Sequence, residues 1–293
     1  MIRICMVGTG YVGLVSGACM ADFGHEVWCV DVNEERIDGL RRGVIPFYEP
    51  GLDTLVLKNA GADRLKFTTS LAAGLAAAEV VFIAVQTPQS ESGEADLSYV
   101  LQVGREIGQA MTEPKVIVTK STVPVGTARR LERIIREAQP RPVPFEMASN
   151  PEFLREGSSI EDFMRPDRVV IGADSERAAS LVKEIYRPLY LLDTPILTCG
   201  IETAELIKYA SNSYLAVKIS FINEVAALAE RVGGDVSAIA KAMGLDRRIG
   251  PKFLHAGLGF GGSCLPKDTH ALVHIGQQAG VDMAIVRAAI ARN

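Results

Sequence analysis

The stretch Gly257-Leu258-Gly259-Phe260-Gly261-Gly262-Ser263-Cys264-Leu265-Pro266-Lys267-Asp268 holds the residues best suited to chemistry. Its glycines let a loop pass very close to a ligand. Pro266 suits the first position of a following helix, because it has no N–H to leave unpaired. Cys264 then lies just outside that helix N-terminus. The dipole and free N–H groups there lower a thiol's pKa and stabilise an oxyanion. Most cysteines are inert core residues, but this setting is that of a nucleophile. Lys267 adds positive charge, and Asp268, four residues beyond the cysteine, is placed to orient a base or a water. Lys208 and Asn212 are also four apart, so they share one helix face. An ammonium beside an amide can polarise a carbonyl or receive a proton from an alcohol. The same pair also suits a solvated face.

A second constellation is Gly8-Thr9-Gly10-Tyr11-Val12-Gly13. A GxGxxG string alone is weak, but this one follows a strand and opens a helix in a βαβ unit. Gly8 permits the tight turn, Gly10 lets a pyrophosphate approach the backbone, and Gly13 lets the helix pack on the sheet. The helix N-terminus offers N–H groups to phosphate. Asp31, at the end of the second strand, is placed for the adenosine ribose hydroxyls and favours NAD over NADP. Arg36 either softens that preference or is a surface charge. Val85-Gln86-Thr87-Pro88 and Lys120-Ser121-Thr122-Val123-Pro124 follow two further apolar strands. Small hydroxyls there can touch a cofactor or hold a water, and the same residues also simply end strands.

The elements that position these groups alternate. Ile2–Val7, Glu26–Val30, Val80–Val85, Val116–Thr119, Phe145–Ala148 and Val169–Ile171 read as short strands. Helices are expected from Tyr11 to about Phe23 and over Glu34–Arg42, the latter capped by Asn33. The alternation predicts an α/β fold, a doubly wound parallel sheet with helices on both faces. From about Glu202 to Val232 no Pro or Gly interrupts the chain. Leu206, Ala210, Tyr214, Val217, Phe221, Val225, Leu228 and Val232 recur every three or four residues. That is an amphipathic helix roughly 45 Å long, a length that often joins two domains or forms a dimer interface. Shorter helices are expected around Val236–Met243 and Thr269–Gln278.

The 293 residues suggest about two domains. With 48% apolar and 23% charged residues, the chain has a globular composition. A net charge of −4 argues against nucleic-acid binding, and 6% aromatics argue against a base-stacking platform. Apolar runs fall well short of the roughly 20 residues that span a bilayer, and the N-terminus has no basic leader. Five cysteines without a spaced framework fit a reducing cytoplasm.

The sequence closely resembles the nucleotide-sugar dehydrogenases of the UDP-glucose/GDP-mannose dehydrogenase family. The motifs are GTGYVGL at 8–14, VQTP at 85–88, STVPVGT at 121–127, NPEFLREG at 150–157, EDFMRPDRVVIG at 161–172, ETAELIKYASNSYLA at 202–216 and FLHAGLGFGGSCLPKD at 253–268. FLHAG and MRPDRVVIG look most like the UDP-glucose members; GDP-mannose and N-acetylmannosamine relatives share several of the others. The resemblance implies oxidation of a primary alcohol at sugar C6 to a carboxylate, UDP-glucose to UDP-glucuronate, with two NAD and no release of aldehyde; no metal site is expected. A water or lysine held by Lys208 and Asp268 removes the first proton. Cys264 attacks the aldehyde, a thiohemiacetal becomes a thioester, and water positioned by Asp268, Thr122 or Glu152 hydrolyses it. Asn212 and Lys208 stabilise the oxyanions. Glu152, Phe153, Leu154, Arg155 and Glu156, with Phe253, Leu254, His255, Ala256 and Gly257, lie along the sugar, and Gly261 is close to it. Thr87, Thr122, Glu156 and Lys267 contact NAD. Gln86 departs from the glycine that relatives often carry there. The resemblance divides the chain into an NAD-binding domain at 1–200 and a helical dimerisation region at 201–293. It implies a chain truncated before a UDP-binding domain, with little activity as the alternative.

Overall fold

The structure, a computed structural model, describes residues 1–90 and 94–293. In chain order the strands are β1 (Arg3–Val7), β2 (Glu26–Val30), β3 (Leu65–Thr68), β4 (Val80–Ile83), β5 (Lys115–Thr119), β6 (Phe145–Ser149), β7 (Val169–Ala173) and β8 (Ile196–Cys199). The helices between them are α1 (Tyr11–Asp22), α2 (Glu34–Arg41), α3 (Leu52–Gly61), α4 (Leu71–Ala77), α5 (Ser98–Ala110), α6 (Thr127–Ala138), α7 (Ser159–Met164) and α8 (Glu176–Ile185). After β8 come α9 (Ile201–Val232), α10 (Val236–Leu245), α11 (Leu265–Gln278) and α12 (Ala284–Arg292).

The chain forms two compact units, Met1–Thr87 with Leu97–Glu205, and Pro88–Asp96 with Leu206–Asn293.

In the first unit the eight strands form one sheet in the order β3-β2-β1-β4-β5-β6-β7-β8. Strand residues alternate between two cores. Ile4, Met6, Val80, Phe82, Val116 and Val118 pack on one face with residues of α1, α3, α7 and α8. Cys5, Val7, Val81, Ile83 and Ile117 pack on the other with α4, α5 and α6. Burial on both faces is why these strands read as continuous apolar runs. The sheet is parallel, as expected, but for one pair: β6 pairs antiparallel with β7 (Ala148↔Ala173, Ser149↔Gly172). An antiparallel partner needs no crossover over a sheet face. The segment 150–168 therefore turns back at the carboxyl end of β6, the end where α/β sheets bind ligands.

In the second unit Tyr209, Ala271, Leu272 and Val286 form a small core. From Leu206 onward the buried positions of α9 are Lys208, Tyr209, Asn212, Ser213, Ala216, Ser220, Ile222 and Ala229. The apolar stripe from Leu206 to Val232 faces outward, with Leu206, Tyr214, Phe221, Leu228 and Val232 exposed. Periodicity reveals an apolar face but not what covers it. Helix α11 also starts one turn earlier than expected, at Leu265, with Pro266 in its first turn. Among the described residues no helix is long and apolar enough to cross a membrane, and no group of His, Cys, Asp and Glu could hold a metal ion.

Candidate active site

The first unit carries a glycine turn at the carboxyl ends of β1 and β2. Each glycine of the turn has its own reason. Gly8 holds φ +104°, and a Cβ there would lie 2.7 Å from the Ala84 carbonyl oxygen. A Cβ on Gly13 would sit 2.0 Å from the Gly8 carbonyl oxygen, so no larger residue closes this turn. A Cβ on Gly10 would meet nothing within 4 Å, so the backbone at the start of α1 is open to an approaching group. Val12 follows in the first turn of α1.

Asp31 is fixed by four donors. Oδ2 accepts the Thr9 N–H and the Thr9 hydroxyl, both at 2.8 Å, and Arg36 Nη1 at 3.2 Å; Oδ1 accepts the Asn33 N–H at 3.0 Å. Burial would raise its pKa, but the Thr9 and Asn33 bonds and the Arg36 charge outweigh it and hold the carboxyl below its ordinary value. Arg36 is thus paired with Asp31, between the two alternatives left by sequence. Thr9, fully buried between two glycines, is a residue that sequence reasoning passed over.

Thr87 and Thr122 come from the loops after β4 and β5. Thr87 donates its hydroxyl to the Thr122 carbonyl at 2.9 Å, and Ser121 donates to the Val85 carbonyl at 2.5 Å. The two loops are therefore pinned together; Gln86, between Val85 and Thr87, is exposed.

The segment after β6 is held by buried polar groups. Asn150 Oδ1 accepts the Tyr186 hydroxyl at 2.6 Å and Lys120 Nζ at 3.1 Å, while Asn150 Nδ2 donates to the Val170 carbonyl at 2.8 Å. Lys120, Asn150, Glu152, Phe153, Arg168 and Tyr186 are among the residues lining a cavity of about 40 Å³. Glu152 is buried, and its Oε2 accepts the Leu154 N–H at 2.6 Å. The Arg168 guanidinium lies 3.6 Å from the Phe153 ring centroid. Leu154 packs against the sheet core. Arg155 is spent on its own loop, paired with Asp162 at 2.5 Å, and Glu156 is exposed. Glu49, another residue missed from sequence, organises this loop. It accepts the Tyr11 hydroxyl at 2.5 Å and the N–H groups of Gly157 and Ser159, each at 2.8 Å. Burial and the Glu49 bond push the Tyr11 phenol up to about 12.

The second unit carries the thiol. Cys264 is exposed and is the N-cap residue of α11: its carbonyl accepts the Asp268 N–H at 2.9 Å. The first amides of α11 lie beside it, the orphan donors of any helix start. Asp268 is 1% exposed, and both oxygens are used. Oδ2 accepts Asn212 Nδ2 at 2.6 Å and Oδ1 accepts Lys267 Nζ at 2.7 Å. Asp268 thus fixes an amide and an ammonium rather than standing alone. Lys267, expected at the cofactor, is turned to Asp268. Lys208 is buried one turn before Asn212, which sets aside the solvated face.

Two asparagines clamp the glycine loop that leads to Cys264. Asn223 Oδ1 accepts the Gly257 N–H at 2.8 Å. Asn293 accepts the Phe260 N–H at 2.6 Å and donates to the Phe260 carbonyl at 2.9 Å. Gly259, at φ +105°, passes so close that a Cβ would lie 2.5 Å from Asn293 Oδ1. No sequence signal marks either asparagine. Phe253 holds φ +63°, a left-handed backbone that a bulky residue adopts only under constraint. Leu254 is buried, whereas His255, Ala256, Gly257 and Gly261 are exposed.

Comparison with known proteins agrees with these features. Residues 2–190 match the NAD binding domain of the UDP-glucose/GDP-mannose dehydrogenase family, and residues 202–293 match its central domain. A UDP-glucose 6-dehydrogenase of Rhizobium meliloti is 54% identical over all of this chain and 67% of its own length. UDP-glucose 6-dehydrogenase TuaD of Bacillus subtilis is 50% identical, over all of this chain and 63% of its own. The solved UDP-glucose dehydrogenase of Pyrobaculum islandicum superposes with a TM-score of 0.95 at 46% identity, covering all of this chain and 68% of its own. The chain thus spans about two thirds of the length of the curated relatives it matches.

Proposed function

Since this chain belongs to the UDP-glucose/GDP-mannose dehydrogenase family and carries its NAD binding domain, we propose that it works in the four-electron oxidation of UDP-glucose to UDP-glucuronate. The observation that carries this reading is an exposed cysteine at the start of α11, beside an Asn212–Asp268–Lys267 cluster whose asparagine and aspartate are buried. A simple alcohol dehydrogenation needs no nucleophile; an aldehyde carried on to a carboxylate does.

The residues present fit the cofactor. Gly10 leaves the α1 N-terminus open where Gly8 and Gly13 cannot grow, and Asp31 presents an ionised carboxylate at the end of β2. When bound, NAD accepts one hydride in each of the two oxidations. Gly8, Gly10, Tyr11, Val12, Gly13, Asp31 and Arg36 hold it, with Thr87, Thr122 and Glu156. The carboxylate of Asp31 repels a 2′-phosphate, which selects NAD.

Lys208, or a water it holds with Asp268, takes the C6 hydroxyl proton in the first oxidation. The Cys264 sulfur then bonds to the aldehyde carbon, and the carbonyl oxygen becomes an oxyanion. Asn212, Lys208 and the first amides of α11 are the donors for that charge. Loss of the second hydride leaves a thioester on Cys264. Water positioned by Asp268, Thr122 or Glu152 adds to it, and the thiolate leaves. Asp268 does two things at once: it orients the Asn212 amide and keeps Lys267 in place.

Homodimerisation is part of the proposal. Leu206, Tyr214, Phe221 and Leu228 expose an apolar stripe along α9, a surface of the kind that proteins cover with a partner. The setting we propose is the cytoplasm, in line with five free cysteines, three of them buried.

The test is NADH production from UDP-glucose, GDP-mannose and UDP-N-acetylmannosamine in parallel. Two NADH per UDP-glucose, at least tenfold faster than with the other two, is the expected result. Equal rates would overturn the choice of sugar. NAD binding without NADH from any of the three would leave a cofactor-binding fragment in place of an enzyme.

A further inference from the structure

The chemistry above gives no part to Glu205, a carboxylate on the first turns of α9 that is only 3% exposed. Its two oxygens reach α6. Oε2 accepts the Gly126 N–H at 2.7 Å and Oε1 accepts the Ala128 N–H at 2.9 Å. Gly126 is the N-cap residue of α6, at φ +91°, and has no side chain with which to cap. Glu205 supplies the missing cap from another helix. The loop from Ser121 to Gly126 is tied at its start by the Ser121 hydroxyl on Val85 and by the Thr87 hydroxyl on Thr122. Glu205 ties its far end.

We propose that Glu205 is a positioning residue for the loop that carries Thr122, a clamp on the start of α6 whose grip depends on its own protonation. The role of Thr122 rests on the function proposed above; the clamp does not.

Burial raises the Glu205 carboxyl to about 7, against the two backbone N–H bonds that lower it. Glu202, on the same helix, raises it further, and Arg129 of α6 lowers it. Arg129 is itself paired with Glu202 and with Asp174, just after β7, so its charge is shared. The sign follows from linkage. Opening the clamp hydrates Glu205 and returns it towards the ordinary value of 4.5. Protons therefore favour the closed clamp, and it loosens as pH rises through neutrality. With values of about 7 closed and 4.5 open, the opening equilibrium grows about tenfold between pH 6 and pH 8.

Amide hydrogen exchange of Gly126 and Ala128, corrected for intrinsic rates, reads this directly in the chain as it stands. In the wild type, protection should fall about tenfold from pH 6 to pH 8, while β1 and α1 stay constant. Glu205→Gln keeps one acceptor, as the protonated carboxyl does, and removes the titration, so its protection should be flat with pH. Glu205→Asp keeps the titrating group on a shorter arm and should restore a pH slope. A flat wild-type profile, or a Glu205→Gln slope equal to the wild type's, overturns the proposal. If Glu205→Gln does not fold, the wild-type series alone decides. The exchange readout needs no turnover. The expected profile without NADH from UDP-glucose would refute the functional reading alone, and NADH production with a flat profile would refute the clamp alone.

Discussion

Replacing Asp268 by Asn keeps the shape of a buried side chain and removes its charge. In the native protein each oxygen takes one short bond, from Asn212 Nδ2 at 2.6 Å and from Lys267 Nζ at 2.7 Å. An amide offers one oxygen and one NH₂. If the oxygen stays with Lys267, the NH₂ faces the Asn212 amide, which must turn over to present its own oxygen. In that case one charge-assisted bond is lost, about 1.5–3 kcal/mol. If packing prevents the turn, two donors face each other beside a lysine only 17% exposed, and the loss approaches 3–5 kcal/mol. The expectation is therefore a loss of about 2–4 kcal/mol. Urea unfolding followed by far-UV circular dichroism measures it. NADH production from UDP-glucose should fall at least about 100-fold, because Asn212 and Lys267 lose their orientation together. A stability change under about 0.5 kcal/mol with wild-type NADH output would refute the reasoning.

Other substitutions probe the remaining parts. Gly13→Ala places a Cβ 2.0 Å from the Gly8 carbonyl oxygen, so NADH affinity by fluorescence titration should drop at least tenfold and stability by about 1–3 kcal/mol. Asp substituted at both Tyr214 and Phe221 puts charge on the exposed α9 stripe. Sedimentation should then show a monomer where the wild type is a dimer, with unchanged circular dichroism; a wild-type monomer at micromolar concentration would sink the interface. His25 is buried, with Nδ1 accepting the Ile2 N–H at 3.2 Å and its other nitrogen 2.9 Å from the Ile185 carbonyl. Burial lowers its pKa below the ordinary 6.5, so its contribution is present above that value and is lost as pH falls through the folded one. Unfolding free energy should decline from pH 7 to pH 5, and the non-titrating His25→Gln should flatten that decline.

Much of the fold was legible because glycine turns and apolar strand runs follow local rules. The roles of Gly8 and Gly13 needed only the knowledge that a βα turn is tight, and atomic contacts bear them out. Cys264 was legible at the start of a helix because Pro266 marks a first turn. The antiparallel return of β7 was not, since pairing direction depends on how 150–168 folds back rather than on the strand residues. Which face of α9 is covered within the chain was not legible for a related reason: periodicity is silent about partners. Thr9, Glu49, Asn223 and Asn293 escaped notice because each acts through two or three hydrogen bonds at most to residues distant in sequence, and single polar residues leave no periodic trace. Asp268 was picked out, but its binding to Lys267 was not, as neighbours in a helix usually diverge.

The central claim is covalent catalysis by Cys264, and the most direct measurement is UDP-glucuronate formation by Cys264→Ala with NAD and UDP-glucose. The account predicts that the carboxylate product disappears while NADH binding is retained. It also predicts that the wild type, quenched during turnover, carries a hydroxylamine-labile adduct on the Cys264 peptide. UDP-glucuronate made by Cys264→Ala at the wild-type rate would contradict it.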